Sequence, residues 1–146
     1  MKKIVAIFSA ALLATGIFLL VAHGQMPEKG AKNTMTLPNG DVIWDLNGEW
    51  DAWVENYGSW SRFGSYPSVR KITQKGNSIE VIRIKSDPWN KEGSIAFVGE
   101  LDKKGSINGT APTNLGSIEM KGQVIENGNK IVIDDGEKAK ATFTRK

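Results

Sequence analysis

The sequence predicts an all-β domain, a small antiparallel meander barrel of about eight strands, behind an N-terminal export signal. Three observations predict it. Short segments of alternating apolar and polar residues follow one another from about residue 45 to the end, the period-two pattern of half-buried strands. Turn-forming groups punctuate them: Lys75-Gly76-Asn77, Asp102-Lys103-Lys104-Gly105, Asn127-Gly128 and Asp135-Gly136. No segment carries a long 3.6-residue apolar period, so little helix is expected.

Lys2 and Lys3 precede an apolar run over residues 4–22, and Ala22-His23-Gly24 is a small-x-small exit before the polar Gln25-Met26-Pro27-Glu28. Charged start, apolar middle and small-residue exit are the three parts of a secretory signal. Residues 1–24 are therefore expected to be a signal peptide cleaved after Gly24, with the product in the periplasm or outside the cell. The run is also about long enough to cross a bilayer, for which ~20 apolar residues suffice. The alternative is an inner-membrane anchor made of an uncleaved 4–22 segment, which Ser9, Thr15 and Gly16 dilute.

Cleavage changes the chemistry that remains. The one histidine, His23, leaves with the signal, as do Lys2 and Lys3, and the formal net charge falls from +3 to about +1. No basic stripe of a nucleic-acid reader is left. The chain has no Cys, which excludes a lipid-modified N-terminal cysteine and disulfide staples. Stability then has to come from a hydrophobic core, which a chain of this length can build. Residues 25–42, rich in Lys, Gly, Pro and Asn, read as a polar N-terminal linker or loosely held arm, and 43–146 as the barrel domain.

The first strand is expected over 47–57, with Trp50, Ala52 and Val54 on one face and Asp51, Trp53 and Glu55 on the other. The second covers about 68–74, with Val69 and Ile72. The third covers 78–85, where Ile79 and Val81 oppose Ile82 and Ile84. The fourth covers 94–101, with Ile95, Phe97, Gly99 and Leu101 on one side. A weak fifth strand covers 106–110. The sixth covers 116–125, with Ile118, Met120, Gly122 and Val124 on one face. The seventh covers 130–133. The eighth covers 138–145, with Ala139, Ala141 and Phe143 opposing Lys140, Thr142 and Thr144. Short connections make these strands antiparallel neighbours. Eight is near the number at which a sheet closes on itself and loses its edges. An open sandwich is the main alternative. An outer-membrane barrel would put its apolar residues outside, and these short segments, ending Thr144-Arg145-Lys146, fit it poorly.

Asp45-Leu46-Asn47-Gly48-Glu49-Trp50 places a Gly-x-Trp where the first strand begins, and Ala141-Thr142-Phe143-Thr144-Arg145 ends the last. Together these resemble the calycin superfamily, and the first resembles the lipocalin signature. The resemblance implies an eight-stranded barrel closed at one end by Gly48, Trp50 and Arg145, the guanidinium stacking on the indole, with room for a small ligand. It names no particular ligand. The sequence shows no C-terminal helix, and its strands are short for a large cup, so the existence of a cavity stays open.

No catalytic residue, metal site or cofactor is expected. Without His or Cys after the signal, histidine base catalysis, a thiol nucleophile and the usual zinc sites are gone. Asp51 and Glu55 share a face that should point to solvent. Asp134-Asp135-Gly136-Glu137 is acidic enough to attract a hard cation, but Asp-Gly is turn chemistry in its own right. The candidate ligand-binding residues are aromatic. Tyr57, Trp60, Phe63 and Tyr66 lie in the stretch between the first two strands, and Trp89, in Ser86-Asp87-Pro88-Trp89-Asn90, lies in another loop that reaches the same end. Gly and Ser make such a loop adaptable, and its rings give flat contact area. Two readings are open: the rings plug the barrel, or they present a binding surface. Trp44 and Trp53 are expected to pack structurally. The function expected is non-catalytic, extracytoplasmic binding of a small apolar or amphipathic ligand, with membrane or envelope association in reach. The alternative is a module for an envelope protein or polymer, built on a filled barrel.

Overall fold

The computed structural model describes residues 24–146. The expected signal peptide therefore lies outside the described residues except for Gly24, and His23 lies outside with it. A hairpin of β1 (Thr34–Thr36) and β2 (Val42–Trp44) precedes eight longer strands. These are β3 (Gly48–Asn56), β4 (Ser65–Lys75), β5 (Ser78–Arg83), β6 (Ile95–Leu101), β7 (Ser106–Thr113), β8 (Gly116–Ile125), β9 (Lys130–Asp134) and β10 (Ala139–Arg145). Strands β3 to β10 form a closed antiparallel barrel in sequence order, with β10 returning to pair with β3. Apolar side chains point inward, the reverse of an outer-membrane barrel.

The turns do what their residues allow. Gly76, Gly105 and Gly136 take positive φ between paired strands. Asp135 accepts from the backbone N–H groups of Glu137, Lys138 and Ala139, which ties the last hairpin to a single carboxylate oxygen. Alternation on β3 is as expected, with Trp50, Ala52 and Val54 inside. Strand β8 has the expected bounds.

Three features differ from the pattern reading. On β6, Ile95 faces outward while the adjacent Ala96 and Phe97 are both buried. A register shift opposite Val81 and Ile82 inserts one extra residue there, and such a bulge reverses the faces beyond it. On β4, the inward residues are Tyr66, Ser68, Arg70, Ile72 and Gln74, and Val69 lies on the other face. Trp53, expected to pack, is 48% exposed on the outer face of β3, where alternation with Trp50 requires it to be.

The segment from Gln25 lies on the barrel rather than beside it. The Gln25 N–H donates to Val124 O, its side chain exchanges bonds with Asn127, and its carbonyl accepts from Trp44 Nε1 at 2.6 Å. Ile43, Trp44 and Leu46 are buried beneath the open end left by β3 and β10. Gln74 holds this floor together. Its Oε1 accepts from Leu46 N at 2.7 Å, and its Nε2 donates to Trp44 O and Gly76 O at 3.0 Å each. Above it, Trp50, Ile72, Val81, Phe97, Leu101, Ile107, Val124, Ile131 and Phe143 fill the lower half of the barrel. Phe97 can lie flat there because Gly99 and Gly109 face each other across β6 and β7, and a Cβ on either would strike its ring.

Gln74→Leu keeps the volume but strands the Leu46 N–H and two carbonyls. Loss of a buried partner costs about 1–3 kcal/mol per orphaned group. Urea unfolding should therefore show a stability loss of at least about 2 kcal/mol with an unchanged m-value.

Candidate functional site

The upper half of the barrel is hollow. A cavity of about 380 Å³ opens at the end where β3 finishes and β4 begins, at the small end of the usual range for ligand sites. Its wall is apolar where β3, β6, β7, β8 and β10 supply it: Val54, Ala96, Ala111, Met120, Ala139 and Ala141. Alanine recurs there because the inward positions of β6, β7 and β10 that would otherwise fill the space carry only a methyl group.

Four of the five aromatic candidates meet at this cavity. Residues Gly58–Phe63 form a 3-10 turn that sets Trp60 and Phe63 at its mouth, with ring centroids 6.1 Å apart and edge to face. Trp89 comes from the β5–β6 loop. Its ring stands 5.1 Å from Phe63, and its Nε1 donates to Phe63 O at 3.0 Å. Tyr66 belongs to β4 rather than to a loop, and it is buried in the wall. Tyr57 does not line the cavity. Its hydroxyl donates to Asp134 and fastens the start of the aromatic turn to the β9–β10 hairpin. The rings thus line and rim the space instead of filling it. Leu115, from the β7–β8 turn, completes the rim and is 67% exposed.

The acidic stretch beside Tyr57 is used for turn geometry. Asp134 also accepts from Gly136 N, and Asp135 caps the chain after it. No cluster of three metal-ligating side chains occurs among the described residues.

At the closed end, the structure places Arg145 over Trp50, its guanidinium carbon 4.4 Å from the ring centroid. Arg145 also donates to Asp45 O and Gly128 O. Gly48, with φ 126, turns the chain into β3 just before the indole. These three residues sit at the floor, away from the cavity.

Pattern reading passed over two arginines. Arg70 and Arg83 are inward-facing, directly opposed across β4 and β5, and both line the cavity. Arg83 is matched: its Nε meets Asp87 Oδ2 at 3.1 Å, and its Nη1 donates to Ser94 Oγ and Ile95 O. The other Asp87 oxygen accepts from Trp89 N, Asn90 N and Asn90 Nδ2. One buried carboxylate therefore orients both an arginine and the Trp89 loop. Arg70 has no direct acid partner among the described residues. Its Nε makes a 3.3 Å bond to Ser68 Oγ, and its guanidinium carbon lies 5.3 Å from the Phe143 ring. Burial, and then the Arg83 charge, push it down to about 10, so it is still cationic at neutral pH. The signal was present in the sequence: once Ile72 is placed inside, alternation carries Arg70 inside with it.

Both tyrosines of the chain resist ionisation. The hydrogen bond to Asp134, then burial, push Tyr57 up to about 12. Burial in the wall, then the Asp87 charge, raise Tyr66. A folded-state value above the unfolded ~10 means the stabilisation is whole below pH 10 and fades as pH rises beyond it. Phenolate absorbance of the folded protein should therefore stay low through pH 10. It should return to an ordinary midpoint in urea, and Tyr57→Phe should delete the component near pH 12.

Comparison of the chain with protein-family models finds no family that matches, and comparison with curated proteins and with solved structures finds no match to either. The geometry alone therefore defines the architecture: a closed eight-strand antiparallel barrel, compatible with a lipocalin-like fold.

Proposed function

We propose that this chain is a non-catalytic, extracytoplasmic binding protein of calycin type, taking a small apolar or amphipathic ligand into the upper half of its barrel. The observation that carries the reading is the cavity beneath Trp60, Phe63 and Trp89, mostly apolar in its walls and open to solvent between aromatic edges. Ligand sites have this composition, mostly apolar with a few placed polar groups. At about 30 Å³ per water-sized group, the space takes roughly a dozen such groups. The charged start, apolar run and small-residue exit of residues 1–24 support export. The alternative of an envelope protein- or polymer-binding module assumed a filled core, and the hollow upper half weighs against it.

Native mass spectrometry of the protein taken gently from its own envelope fraction tests this. The expected result is an adduct of a few hundred daltons that is lost or weakened in Trp60→Ala and Phe63→Ala, each truncation costing about tenfold in affinity if it removes ~1.4 kcal/mol of contact. A bare protein mass, persisting when lipids and other amphiphiles are added, sinks the proposal and favours the polymer-binding alternative.

A further inference from the structure

Within that binding reading, on which this inference rests, we propose that the ligand is an anionic amphiphile whose single negative head group docks on the guanidinium of Arg70 at the inner end of the cavity, with its tail directed toward the aromatic rim.

Arg70 is 5% exposed, and among the described residues its two terminal nitrogens donate to no protein acceptor. Those nitrogens face the open cavity, since no buried side-chain nitrogen among the described residues lacks a partner, yet a charge with so little solvent and no direct acid partner is costly. It is more so here because Arg83 stands directly opposite on β5, and like charges in that position repel. Asp87 pairs directly with only one of the two, through Arg83 Nε; Arg70 reaches it only by way of Ser68, whose Oγ accepts from Arg70 Nε and donates to Asp87 Oδ2 at 3.5 Å, and the other Asp87 oxygen is committed to the backbone and side chain of the Trp89 loop. The buried group of Arg70, Arg83 and Asp87 thus carries one surplus positive charge. Among the described residues no carboxylate lines the cavity, and a third arginine, Arg62, stands at the mouth.

Position decides the orientation. Arg70 touches Phe143, which is 1% exposed and belongs to the packed lower core, so the guanidinium forms the base of the hollow half. The rings of Trp60, Phe63 and Trp89 are at the other end. Between them the wall is mostly aliphatic, with Val54, Met120 and four alanines, and Tyr66 and the acid-paired Arg83 on the β4–β5 side. A planar guanidinium with free terminal nitrogens suits a carboxylate or a comparable oxyanion, which it can grip with two parallel bonds. A neutral or cationic ligand would leave the surplus charge where it is. The fold bears this uncompensated charge in the way proteins bear local conflicts at functional sites.

Calorimetric titration with decanoate, decyl sulfate and decanol separates the possibilities, since the three share a tail and differ in the head. The expected result is that decanoate, decyl sulfate or both bind the unmutated protein about tenfold or more tightly than decanol. In Arg70→Met that preference should disappear, the anions falling to within a few-fold of decanol, and the ligand-free variant should melt no lower than the parent, because a buried charge has been removed. Decanol binding as tightly as both anions would overturn the inference and leave the binding reading standing. So would a preference that survives in Arg70→Met. Failure of all three to bind overturns both. If Arg70→Met does not fold, Arg70→Lys serves: it keeps the charge but not the two-pronged grip, so a weakened anion preference is expected, and an undiminished one would contradict the assignment to Arg70.

Discussion

The floor of the barrel is the constraint on which the rest depends. Arg145 lies on Trp50 and donates to carbonyls of Asp45 and Gly128. One side chain thereby joins the last strand, the first barrel strand, the linker that enters it and the β8–β9 turn. Gln74 does the same for β4 and the N-terminal hairpin. With that end sealed by Ile43, Trp44 and Leu46, the large side chains above it stay dry. Truncating a buried ring of this kind costs about 3–5 kcal/mol, so the packing that holds the barrel is concentrated in the lower half. The upper half is then free to remain open.

That division explains features of the upper half that would be poor choices in a packed core. Alanines line it where larger aliphatics would pack better. Two arginines oppose each other across β4 and β5 with one carboxylate between them. A tryptophan and a leucine are left largely exposed at the rim. Asp87 links these features, since it neutralises Arg83 and shapes the loop that presents Trp89. The charge arrangement inside the cavity and the aromatic arrangement at its mouth therefore cannot vary independently.

Most of the scaffold was legible because period-two alternation and glycine turns are local signals. The Gly-x-Trp and terminal Arg pair was legible because it resembles a known barrel closure. What escaped pattern reading was set by neighbours. The bulge on β6 depends on its pairing with β5 and reverses Ile95, which alternation alone had placed with Phe97. The linker composition of 25–42 gave no hint of the hairpin it begins, because β1 and β2 are three residues each and are held by pairing with each other and by the floor. Of the site, the aromatic rim was read from clustering. Arg70 and Arg83 escaped because an arginine by itself reads as solvent-facing, although alternation puts Arg70 on the face of Ile72 and Arg83 on the face of Ile79 and Val81. Tyr66 reads as loop because the second strand's alternation becomes clear only from about residue 68, yet β4 begins at Ser65 and runs through Tyr66 and the outward Pro67.

The central claim is that one half of the interior is packed and the other is room for a guest. Methyl-labelled NMR of the mature protein tests it most directly, because Met120 lies in the hollow wall and Val124, two inward positions along the same strand, lies in the packed half. With decanoate present, intermolecular contacts are predicted from the ligand to the Met120 and Ala111 methyls, and none to Val124. Contacts confined to the outer surface, or an interior in which the Met120 methyl is as tightly packed and as unresponsive as Val124, would contradict the account.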